Sequence, residues 1–207
     1  MTSATSTTEV GMEARVAALG HVGIASSDID RTIEFYTRLV GLTLTEKFDY
    51  GESRIGHGRT VIAGAFLRAG SDHHVLSVFK LREAQDLPEG PHNGLHHIAF
   101  ALASPQELVD LYRKFRDAGA PIIDARIGGP GNHPRFYAYD PDGNQLEFYW
   151  GTDQIGWDGL TRPYPPIESI DLETFDFESF MELRDSHAAS AREQYDRGAA
   201  TYPDIAD

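Results

Sequence analysis

Leu95-His96-His97-Ile98-Ala99-Phe100 echoes an earlier stretch, Leu19-Gly20-His21-Val22-Gly23-Ile24. His21 and His97 are 76 residues apart, and the same step carries Tyr36 to Tyr112 and Asp28 to Ser104. The chain therefore reads as one unit written twice, with a histidine near the start of each copy. In a strand, successive side chains alternate between faces. His21, Gly23 and Ala25 then share one face and Val22 and Ile24 the other. In the second copy His97, Ala99 and Ala101 share one face and Ile98 and Phe100 the other. The bulky residues can pack on a helix. The histidine faces carry only small residues, as the lining of a cavity would.

Outward from these strands the pattern is the same in each copy. Residues 17–25 read as a strand. Asp28 is an N-cap for a helix with the apolar stripe Ile29, Ile33, Tyr36, Leu39 and Val40, and Gly41 stops it. Three strands follow at 42–50, 60–68 and 74–81. After a connector at 82–94 the order restarts. Residues 95–101 form a strand. Ser104-Pro105-Gln106-Glu107 is a capping box with proline at the first helical position, and Leu108, Leu111, Tyr112 and Phe115 are its stripe. A strand at 121–127 and the loop 128–132 lead to a hairpin of 135–139 and 145–150. Asp140-Pro141-Asp142-Gly143 joins its strands and suits a type I turn. The spacing predicts an α+β fold of two tandem βαβββ modules, 17–81 and 95–151. Residues 1–16 read as a flexible tail. Residues 152–207 read as an irregular acidic C-terminal arm, partly disordered towards its end. Phe175, Phe177 and Phe180 argue that the arm docks on the core or on a neighbouring subunit, which makes a homo-oligomer the expectation.

Composition bounds the function. The 207 residues are 41% hydrophobic and 24% charged, ordinary for a globular protein. The formal charge of −14 argues against nucleic acid and anionic membrane as partners. Residues 151–207 hold 13 acids and 4 bases, so most of the acidity belongs to the arm. No apolar run approaches the roughly 20 residues of a membrane helix. The N-terminus lacks the basic flank and apolar segment of a secretory signal. The absence of cysteine removes disulfides, thiolate metal sites and thiol nucleophiles, and makes the cytoplasm the simplest setting.

In the last strand Gln145, Glu147 and Tyr149 share a face, with Leu146, Phe148 and Trp150 opposite. His21, His97 and Glu147 thus supply two imidazoles and one carboxylate from inner strand faces. That set suits a non-haem Fe(II) that keeps positions open for substrate and dioxygen. Mn(II) suits the same ligands.

The chain resembles the vicinal oxygen chelate superfamily, and within it the one-domain type I extradiol ring-cleaving dioxygenases. The likeness spans roughly 17–151. It rests on Leu19-Gly20-His21-Val22, Leu95-His96-His97-Ile98, Gly129-Pro130-Gly131-Asn132-His133, and Tyr137 through Asp140-Pro141-Asp142-Gly143 to Glu147-Phe148-Tyr149-Trp150-Gly151. The resemblance implies a curved sheet around a metal cavity, with His21, His97 and Glu147 as iron ligands. It favours His97 over His96, and His74 over His73. It implies that His74 shuttles a proton and steadies dioxygen, and that His133 and Tyr137 lie near the substrate oxygens. The implied reaction opens a catechol beside its diol with dioxygen, to a muconic semialdehyde-type product.

Two rivals follow from the same resemblance. A glyoxalase- or epimerase-type enzyme would place a further ligand on the last strand of the first module. His74-Val75-Leu76-Ser77-Val78 offers no carboxylate there. A metal-free, drug-sequestering binding protein would need no ligand triad.

Overall fold

The computed structural model describes residues 18–49, 61–81, 95–129, 131–152 and 166–182. The predicted tail, the connector, and both ends of the arm lie outside them.

Both modules have the βαβββ order. The first runs β1 (Val22–Ala25), α1 (Ile29–Glu34, continued by a π-helical turn over Phe35–Val40), β2 (Thr43–Asp49), β3 (Val61–Arg68) and β4 (Leu76–Leu81). The second runs β5 (Ile98–Ala101), α2 (Pro105–Asp117), β6 (Ile122–Ile127), β7 (Arg135–Tyr139) and β8 (Gln145–Tyr149). Each module forms its own sheet. The orders are β1-β4-β3-β2 and β5-β8-β7-β6, and the first strand lies parallel to the last in each. A short β9 (Glu168–Ser169) from the arm extends the second sheet beside β6.

The helices begin where their caps require. Asp28 accepts a hydrogen bond from Arg31 N at 3.1 Å. Ser104 Oγ accepts from Glu107 N at 3.1 Å, and the Glu107 carboxylate reaches back to Ala103 N at 2.8 Å, one residue ahead of the usual partner. Gly41 ends the first helix at φ +95°, a left-handed conformation that glycine adopts without strain. The stripe spacing does not reveal the π turn. There Gly41 N donates to Tyr36 O, five residues back, at 3.0 Å. The wider turn sets Phe35 edge-on to Phe115 of α2, ring centres 5.8 Å apart.

The apolar faces pack as the alternation requires. Ile24, Val78, Ile98, Leu146 and Phe148 are buried, while Gly23, Ala25, Ala99 and Ala101 are exposed on the opposite faces. His21 and His97 precede the first residues of β1 and β5, and His74 stands two residues before β4. The expected strands are thus shorter at their starts than alternation alone suggested. The ladder begins only where Val22 N meets Val75 O, at 3.0 Å.

The turn between β7 and β8 joins the modules. Gly143 N donates to Asp140 O at 3.1 Å, closing the predicted turn. The Asp140 carboxylate accepts from Tyr36 OH at 2.9 Å. Asp142 accepts from Thr32 Oγ1 at 3.0 Å, from Ser27 N at 3.1 Å, from Ser27 Oγ, and from Arg31 Nη2 at 3.1 Å. Desolvation opposes ionisation of Asp142, but the hydrogen bonds from Ser27 and Thr32 outweigh it and hold its pKa below the usual carboxylate range.

The arm docks on its own chain. Arg126 and Ile127 pair with Ser169 and Glu168, and Leu172 is 1% exposed. Glu173 lies between Arg113 and Arg116 of α2. Phe180 is buried, and Phe175 and Phe177 are half-covered, packed on one another with Phe177 against Trp150. The three rings are therefore not the exposed patch from which an oligomer was expected. Among the described residues no helix is long and apolar enough to cross a membrane.

With a folded pKa below the unfolded value near 3.9, Asp142 stabilises the fold fully above that unfolded value. The contribution is lost as pH falls through the folded pKa. Urea midpoints measured between pH 6 and pH 3 should therefore fall less steeply in Asp142→Asn than in the parent. Tyr36→Phe should cost about 1–3 kcal/mol at neutral pH, because it takes a donor from buried Asp140.

Candidate functional site

Strand pairing brings the chemistry of the second module together. Tyr137 of β7 lies opposite Glu147 of β8, and Glu147 lies opposite Ala99 of β5, two residues after His97. The Glu147 carboxylate is buried and every approach to it is polar. Its Oε1 accepts from His133 Nε2 at 3.0 Å. Its Oε2 accepts from Tyr137 OH at 2.9 Å and lies 3.0 Å from His97 Nε2. Burial by itself would raise the Glu147 pKa. The hydrogen bonds from His133 and Tyr137, with the positive ends of His133 and His97, reverse this and hold it below the ordinary carboxylate range. Glu147 is therefore an anion at neutral pH. His133 donates to it from Nε2, and its buried Nδ1 has no hydrogen-bond partner.

Arg135 is the member of this cluster that sequence reasoning missed. It is 2% exposed. Its Nε donates to Tyr137 OH at 3.0 Å, its Nη1 to Gly128 O and His133 O at 3.0 Å each, and its Nη2 to Gly129 O at 2.7 Å. Its Nε also lies 3.9 Å from Glu147 Oε1, so the buried cation faces the buried anion. The signal was present. Alternation puts Arg135 on the face of Tyr137, and the preceding Gly-Gly offers bare carbonyls. Tyr137, bonded on both sides, donates to Glu147 and accepts from Arg135. Its pKa is raised by burial and by the hydrogen bond to Glu147. Tyr137 and His133 thus hold the carboxylate.

The first module carries the other half. The His21 and His74 rings lie 4.5 Å apart, and His74 packs on Phe66 at 4.8 Å. Desolvation, then neighbouring His21 and His73, lower the His74 pKa. Each adjacent histidine pair makes the same contact. His73 Nδ1 lies 2.9 Å from His74 Nδ1, and His96 Nδ1 lies 2.7 Å from His97 Nδ1. So the structure joins His97, Glu147, His133 and Tyr137 in one cluster, and His21 with His74 in another. Among the described residues, no three of His, Asp and Glu stand close enough to hold a metal ion.

The donor chemistry, imidazole beside carboxylate, suits a divalent metal. Two adjacent ligands of an octahedral ion with bonds of about 2.1 Å stand about 3.0 Å apart. His97 Nε2 and Glu147 Oε2 are at that spacing, 3.0 Å.

Residues 18–148 match the Glyoxalase/Bleomycin resistance protein/Dioxygenase superfamily. Among curated proteins, the 3-methylcatechol 2,3-dioxygenase of Pseudomonas putida is 26% identical over 70% of this chain and 46% of its own length. The glutathione transferase FosA of Serratia marcescens is 27% identical over 65% of this chain and 82% of its own. The chain spans about half the length of the curated catechol dioxygenases it matches, or less. A glyoxalase/bleomycin resistance protein/dioxygenase domain from Frankia shares the fold. Its TM-score is 0.52 and its identity 21%, over 67% of this chain and 95% of the other.

Tyr137→Phe should raise the Glu147 pKa towards its ordinary value, since Oε2 loses a donor. Carbon-13 NMR of the side-chain carboxyl during a pH titration of the metal-free protein reads this directly.

Proposed function

The chain belongs to the Glyoxalase/Bleomycin resistance protein/Dioxygenase superfamily, and on that premise we propose that it is an Fe(II)-dependent extradiol dioxygenase. Its substrates would be a small aromatic diol and dioxygen, and its product a muconic semialdehyde-type open chain. The observation that carries the reading is the His97–Glu147 pair, 3.0 Å apart, with the carboxylate kept ionised in a buried setting. Several catechol and biphenyl-diol dioxygenases among its relatives support it.

His97, Glu147 and His21 would hold the metal. Fe(II) bound there would supply a joint site for the diol and dioxygen and a path for electrons between them. In the structure His21 stands with His74, ring centres 4.5 Å apart. The rest falls to the chain itself. His133 and Tyr137 fix the orientation of Glu147 by occupying one position on each oxygen. His74, whose pKa is lowered by desolvation and by neighbouring His21 and His73, can accept a proton from a diol hydroxyl. The exposed, small Gly23, Ala25, Ala99 and Ala101 leave space for the ring.

Protein loaded with Fe(II) without oxygen, then given catechol, 3-methylcatechol or biphenyl-2,3-diol and air, should consume oxygen and form a coloured ring-fission product. Stoichiometric iron with neither signal across the panel would sink the dioxygenase reading. His21→Ala, His97→Ala and Glu147→Ala should each lose iron. His74→Ala should retain iron and turn over about 100-fold or more slowly. Loss of iron from His74→Ala would instead make His74 a ligand and favour the glyoxalase- or epimerase-type alternative.

A further inference from the structure

We propose that the C-terminal arm is a positioning element for the Glu147 cluster, acting through Gly128 and Arg135. The inference concerns the geometry of that cluster and holds whatever reaction the cluster serves.

The link can be followed atom by atom. Gly128 has φ +117°, and a Cβ there would collide with Pro166 O and lie 2.9 Å from Ile167 Cα. The arm backbone therefore sits against the first residue of the loop that leads to His133, in space that only a glycine leaves open. Ile170 N donates to Ala125 O at 3.1 Å, and β9 pairs with Arg126 and Ile127, so the contact is registered by a ladder on the preceding strand. The same Gly128 turns its carbonyl to the site. It accepts from Arg135 Nη1 at 3.0 Å and from His133 N at 3.4 Å.

Arg135 carries the constraint onward. A buried guanidinium must keep its donors satisfied, and three of its four acceptors are the carbonyls of Gly128, Gly129 and His133. Displacing the loop would strand that cation, so loop and arginine hold one arrangement together. The fourth acceptor is Tyr137 OH, which donates in turn to Glu147. The arm also reaches the residue that follows the Glu147 strand, through Phe177 on Trp150, ring centres 6.2 Å apart. Leu172, fully buried, and Glu173, clamped by Arg113 and Arg116, anchor the arm between these two contacts. Without the arm, nothing among these contacts would fix the outer side of the 128–133 loop.

The test reads a nucleus in the cluster and needs neither metal nor turnover. The Arg135 Nε–H should give a slowly exchanging resonance in the proton–nitrogen spectrum of the full chain. Leu172→Ala loosens the arm far from the loop, and Gly128→Ala pushes the arm off it. Both should exchange that proton at least about tenfold faster than the parent. Val78→Ala removes buried side chain from β4 in the first module and serves as a control for lost stability. It should leave the exchange unchanged, and Leu172→Met should restore the parent rate. Were Leu172→Ala and Gly128→Ala to exchange no faster than Val78→Ala, the proposal would be overturned. If the parent protein bound no iron, the dioxygenase reading would fail while this comparison still gave its answer.

Discussion

Two carboxylates in one turn hold the modules of this protein together. Asp140 takes the hydroxyl of Tyr36, and Asp142 takes the cap of α1 through Ser27, Thr32 and Arg31. The turn itself belongs to the second module, between the strand that carries Tyr137 and the strand that carries Glu147. The first helix is thus tied to the turn that joins these two strands. Burial raises the Tyr36 pKa, with Asp140 adding to it, so the phenol remains a donor throughout the accessible pH range. The pairing is polar and directional, where apolar contact between α1 and α2 alone would permit sliding.

A second constraint operates within the second module. Arg135 and Glu147 are a buried cation and a buried anion, with Tyr137 between them. Such a pair is costly to desolvate and earns its place only when every donor and acceptor is satisfied. Here the surrounding backbone provides the acceptors, from a loop whose glycines leave their carbonyls accessible. The result is a carboxylate that stays ionised in a buried position, with a direction set by three side chains. A metal ligand needs those same properties.

The two histidine clusters differ in their partners. His97 pairs with a buried anion, whereas His21 lies tilted against His74 at an exposed strand start. The module that holds the carboxylate is also the one to which the arm adds a strand and a row of buried side chains.

Much of this was legible in the amino-acid order, because the relevant rules are local. Repeat spacing and alternation identified both modules, the open faces beside His21 and His97, the helix caps at Asp28 and Ser104, and the turn at Asp140. Each depends on residues within a few positions of one another. Tertiary structure alone decided which groups meet. That His133 and Tyr137 grip the two oxygens of Glu147, that His21 stands with His74, and that Arg135 is buried all follow from strand register and loop path. The same holds for the π turn, which answers to Phe115 and Asp140, each more than 70 residues away in the chain. It holds too for the arm, whose phenylalanines looked like an exposed patch until their partners, Trp150 and the module core, were in place. A charged residue in a strand pattern reads as solvent-facing, since water is its cheapest partner. Only a folded loop with free carbonyls could make the interior cheaper for Arg135.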